Sequence, residues 1–108
     1  MNFDINEVIA DMAGAIKGEV GDAWSEVQSV ANQFLTKRKE RLALLAELTI
    51  TGDITIGQLE LRLKHEQLLA EAEFHAIAVI SKAIAQRAAN AAMDVLKTAV
   101  QTAIGAAL

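Results

Sequence analysis

The chain has no cysteine, no proline and no tyrosine, and only one tryptophan, three phenylalanines and six glycines in 108 residues. Without cysteine there is no disulfide framework, no thiolate zinc site and no thiol nucleophile. Without proline, nothing obliges a helix to stop. Aromatics are confined to Phe3, Trp24, Phe34 and Phe74, so the core must be built from Ala, Leu, Ile and Val, and strand formers are too few for a sheet. A basic surplus is missing as well: 10 Lys and Arg stand against 14 Asp and Glu, a net charge of −4. That balance disfavours nucleic acid as a partner, although Lys37, Arg38, Lys39 and Arg41 form a short basic cluster.

Two further absences concern membranes. The start, Met1 to Glu7, has neither the basic nor the apolar region of a secretory signal, so the expected location is cytoplasmic, with export requiring a signal-independent route. The most apolar stretch, 83–108, is broken by Arg87, Asp94 and Lys97, which leaves a charge-free tail of Thr98 to Leu108, well short of the roughly 20 residues a bilayer span needs.

What the chain does contain is helical periodicity on both sides of one interruption, Thr49 to Thr55. In the first half Ile5, Ile9, Met12, Ile16, Val20, Ala23, Val27, Val30, Phe34, Leu45 and Leu48 recur at steps of three and four. Asp4, Glu7 and Asp11 sit where the helix dipole favours acids, and Lys37 to Arg41 lie toward the other end. In the second half Leu59, Leu63, Ala70, Phe74, Ile77, Ile84, Ala88, Val95 and Ala99 define a core face, with Glu60, Lys64, Glu71, His75, Lys82 and Gln86 turned away from it. Thr55 and Gln58 have the spacing of a capping box for a helix starting at Ile56, and Gly52 suits the position after a helix end. A strand-like tip is the alternative for the turn, because Ile and Thr alternate there.

The reading is all-α: a single domain over 1–108, formed as a long antiparallel helical hairpin (helix about 4–48, turn about 49–55, helix about 56–105) that pairs into a four-helix bundle or larger helical oligomer. Gly14, Gly18 and Gly21 are the places where the first helix could break. With the turn centred on Gly52 and Asp53, equal rise on both arms sets Gly14–Gly21 beside Ala85–Ala91 and Glu66 opposite Lys37–Lys39.

Few residues invite chemistry. Glu66 and Glu73 fall on the core face, the position from which ferritin-like bundles hold metal, but the Glu-x-x-His step of those sites is missing. Glu66, Glu73 and His75 are therefore weak metal candidates, and no metal, cofactor or catalytic residue is expected. The stronger reading of Glu66 is a register pair with Arg38, since either charge is costly to bury alone. Ser25, Ser29 and Ser81 read as tolerated helical residues, and Trp24 as packing at the edge of the stripe, with an interface anchor as its alternative. Past Ala83 apolar character spreads around the helix, which marks Ala85, Ala89, Ala92, Leu96, Val100 and Ile104 as an expected oligomer interface. The functional expectation is a non-enzymatic assembly or adaptor protein, homo-oligomeric or bound to a protein partner. A membrane-active hairpin inserting its tail or its tip (Ile50, Ile54, Ile56) ranks second, and a ferritin-like metal bundle third.

Overall fold

In the computed structural model, which describes residues 3–76 and 80–107 and the side chains of those up to 105, the fold is all-α. Four helices follow one another: α1 (Ile5–Val20), α2 (Trp24–Ile50), α3 (Ile56–His75) and α4 (Lys82–Ala107), with a single 3-10 turn, Gly21–Ala23, between α1 and α2. Ile77, assigned above to the core face, and Met1, Asn2 and Leu108 lie outside the described residues.

Each of the two long helices read from the sequence is thus divided. Laid end to end, α1 and α2 would make a rod about 70 Å long at 1.5 Å per residue, whereas the longest dimension of the molecule is 43 Å. α1 therefore folds back along α2, and Phe3 and Ile5 share a surface hollow with Ala43, Glu47, Ile50 and Thr51. α4 likewise returns along α3, where Lys97 of α4 bonds Glu60 at 2.9 Å. α1 also packs on α4, and α2 on α3, which closes an up-down-up-down four-helix bundle within one chain. The register read from the sequence survives the extra folds: Glu19 of α1 meets Arg87 of α4, and Arg38 of α2 meets Glu66 of α3. α1 and α3 stand on a diagonal, and among the described residues their backbones make no close approach.

The breaks have local causes. Gly21 caps α1 at φ 57°, ψ −125°, a conformation that a Cβ makes costly and that reverses the chain. Gly14 and Gly18 are ordinary helical residues on the outer face of α1, with open space where a Cβ would go. Opposite effects follow for the same substitution. Gly14→Ala and Gly18→Ala should each raise stability by about 0.5–1 kcal/mol, while Gly21→Ala should lower it by about 1–3 kcal/mol through backbone strain alone, as thermal or urea melts would register.

At the second break Ser81 acts as a cap for α4 rather than as a mid-helix residue: its Oγ accepts the Ile84 N–H at 3.1 Å. Between α2 and α3 the turn is irregular, with no strand among the described residues. Gly52 adopts φ 85°, the Asp53 N–H returns to the Leu48 carbonyl at 2.8 Å and the Gly52 N–H to that of Thr49 at 3.2 Å, so α2 ends in a Schellman motif. The capping box forms as its spacing implies, Gln58 N–H to Thr55 Oγ1 at 3.0 Å and Thr55 N–H to Gln58 Oε1 at 2.8 Å.

One core runs through the bundle. Met12, Ile16, Val27, Phe34, Leu35, Leu42, Leu59 and Phe74 are fully buried in it with Leu96 and Val100. Phe34 and Phe74 meet edge to face at 6.1 Å between ring centres, a favoured aromatic geometry. Val8, Ala31, Leu35, Leu42 and Ala46 are buried outside the stripe traced in the sequence, because a helix flanked by two neighbours buries a wider arc than one arm of a hairpin.

Candidate interaction surface

The interface expected on α4 is spent inside the chain. Ala85, Ala89, Ala92, Leu96 and Val100 are all buried in the bundle's own core, so these five offer no outer face to another molecule, and only half-buried Ile104 keeps part of its side chain outside. The physical reason is the second fold: once α1 lies against α4, the side of α4 that a simple hairpin would expose has a partner within the chain. Ala88, Met93 and Ala103 are buried alongside them.

The unpartnered apolar surface lies on α3 instead. This helix buries Leu59, Leu63, Glu66, Gln67, Ala70 and Phe74 between α2 and α4. Opposite that face Leu61 is 74% exposed, Leu68 52% and Leu69 38%. The seven-residue step from Leu61 to Leu68 puts them in line on successive double turns, and exposed His65 and Ala72 continue the same stripe. Leu44 of α2 is another exposed leucine, at 50%, three residues beyond exposed Arg41. Arg41, Ile54, Gln58, Leu61, Arg62 and His65 line one open hollow at the N-terminal end of the stripe, which gives that end a cationic rim. The sequence did carry a signal for this face, since Leu61, Leu68 and Leu69 fit neither the core stripe nor a solvated one. Isolated exposed leucines are ordinary, but two in line with a third at the edge of their stripe are not.

Arg38 and Glu66 come together as the register pair. Arg38 Nε donates to Glu66 Oε1 at 2.7 Å and Nη2 to Oε2 at 2.5 Å, a bidentate arrangement. The carboxylate is 1% exposed and the Arg38 side chain 27%. The hydrogen bond to Glu66, more than any other influence, holds the Arg38 guanidinium above its ordinary value, with desolvation opposing it and the charges of Glu66 and Glu73 adding to it. A raised pKa on a base stabilises fully below its unfolded value and is lost only as pH climbs through the folded one, so Arg38 adds no pH dependence anywhere near neutrality. Among the described residues every buried side-chain nitrogen and oxygen has a partner.

The weak metal candidates do not converge. Glu66 is committed to Arg38, and Glu73 accepts from Lys37 Nζ at 3.0 Å. His75 is exposed at the end of α3. Among the described residues no three His, Asp or Glu side chains are grouped as a metal would need. Trp24 is half-buried against the core at the start of α2, and no helix among the described residues is long and apolar enough to cross a membrane. Compared with protein-family models, curated proteins and solved structures, the chain matches none of them.

Proposed function

We propose that this four-helix bundle is a non-catalytic interaction module that works by docking a helix on the outer face of α3. The observation that carries the reading is the stripe of Leu61 and Leu68, with Leu69 at its edge, left in water by a bundle whose own core is complete. An apolar row flanked by charges on a rigid helix is the form in which helices recognise one another, through anchors at steps of three, four and seven. The membrane reading has less support. Val100 and Ala103 of the apolar tail are buried, and Ile50, Ile54 and Ile56 at the tip are half-buried against the chain.

A photo-reactive residue in place of Leu61, in the cell that makes the protein, tests the proposal. Irradiation should yield a discrete protein adduct, and the same residue in place of exposed Gln101 on α4 should yield none. No adduct at position 61 above the level at 101 would overturn it. Leu61→Ser and Leu68→Ser should each keep the parent's helical circular dichroism and a cooperative melt, because both side chains lie outside the core, so a lost adduct in Leu68→Ser would report docking rather than folding.

A further inference from the structure

Resting on that reading, we infer that the helix docked on α3 is the α3 of a second copy, running antiparallel about a two-fold axis near Gln67 and Leu68. The charges that border the leucine stripe carry the inference. On the flank nearer α2 lie Arg62, which shares its hollow with Arg41, and Glu73, bonded to Lys37. On the flank nearer α4 lie Lys64, which shares a hollow with Gln67, Asn90 and Asp94, and Glu71, one turn beyond Gln67. Glu60 also stands on the α4 flank but is tied to Lys97 of α4 at 2.9 Å; apart from it, both flanks are basic toward the start of α3 and acidic toward its end.

Antiparallel helices facing each other about a two-fold axis bring like flank to like flank, with residues equidistant from the axis opposed. Centred between Gln67 and Leu68, that operation sets Lys64 against the partner's Glu71 and Arg62 against the partner's Glu73, and each pair occurs twice. Leu68 meets its own copy at the axis, and Leu61 falls beside the partner's Ala72. Parallel pairing does the reverse: it sets Arg62 beside Lys64 and Glu71 beside Glu73, four repulsions in place of four attractions. The same residues therefore favour one orientation and reject the other, which is how charged flanks set helix orientation elsewhere. Lys64 and Glu71 are the most telling pair, since among the described residues neither takes part in an ion pair within its own chain.

Sedimentation velocity on the full chain across the micromolar range tests this directly. The parent should sediment as a dimer. Lys64→Glu and Glu71→Lys should each weaken it at least about tenfold, because the axis turns one substitution into two repulsive pairs, and the double reversal, Lys64→Glu with Glu71→Lys, should restore it. Orientation has its own readout, because the chain has no cysteine of its own: Leu68→Cys should form a disulfide with itself under mild oxidation, whereas Leu61→Cys should not. Dimers in which both cysteines cross-link would overturn the antiparallel arrangement. A monomeric parent that still yields an adduct of another mass from position 61 would overturn the second copy while leaving helix docking in place, and a monomer with no adduct would remove both.

Discussion

Leu96→Asp should abolish the cooperative fold, leaving a chain with little helical circular dichroism at room temperature. Leu96 is fully buried where α4 meets its neighbours, and an aspartate there would be an unpaired charge surrounded by apolar side chains. Losses above about 4–5 kcal/mol arise from this kind of change, and a domain this small has roughly 5–15 kcal/mol in total. The prediction separates two accounts of α4. Were Leu96 an intermolecular residue, as its position on an apolar-all-round helix suggests, the variant would be a folded monomer. A well-folded Leu96→Asp of halved mass would contradict the intrachain bundle.

Glu66→Ala should cost about 3 kcal/mol, the low end of the range for breaking a buried ion pair, because Arg38 keeps about a quarter of its side chain in water and can rehydrate in part. Glu60→Ala, which removes an exposed partner of Lys97, should cost under about 1 kcal/mol. Replacing both members of the buried pair, Arg38→Met with Glu66→Leu, should recover most of the loss or exceed the parent, since apolar pairs of similar size commonly match buried ion pairs in stability. Urea melts of the four proteins give the comparison. Equal small losses for Glu66→Ala and Glu60→Ala would show that the Glu66 carboxylate is solvated.

The contrast between Arg38–Glu66 and Leu96 marks how much of the fold is legible in the residues. Arg38 and Glu66 could be paired from numbering alone because the register about Gly52 depends only on equal rise along two helices. The turn at Gly52 and the capping box at Thr55 announce themselves through residue types that few other conformations favour. The breaks at Gly21 and before Ser81 were harder to read, because glycine and serine occur in helix interiors as well as at ends, and their role depends on whether the arms find each other. Once the arms fold back, every judgement about inside and outside changes: Leu96 and Val100 move from an outer face to the core, and α3, flanked by only α2 and α4, keeps Leu61 and Leu68 in water. The leucines of α3 were visible in the sequence, but their exposure follows from a neighbour that is absent, which periodicity along one helix does not report.

The fold-back of α1 onto α2 is the central claim, and a spin-label distance between positions 6 and 47 tests it most directly. Asn6→Cys with Glu47→Cys gives two unique labelling sites in a chain without cysteine, both exposed and at the same end of the bundle, where Phe3 and Ile5 adjoin Glu47. Dilution into unlabelled protein keeps the measured pair within one chain. Neighbouring helices whose axes lie about 10 Å apart predict a distance under about 30 Å with label linkers included. One unbroken helix from α1 through α2 would place the labels about 60 Å apart, and that result would contradict the bundle and every burial argument built on it.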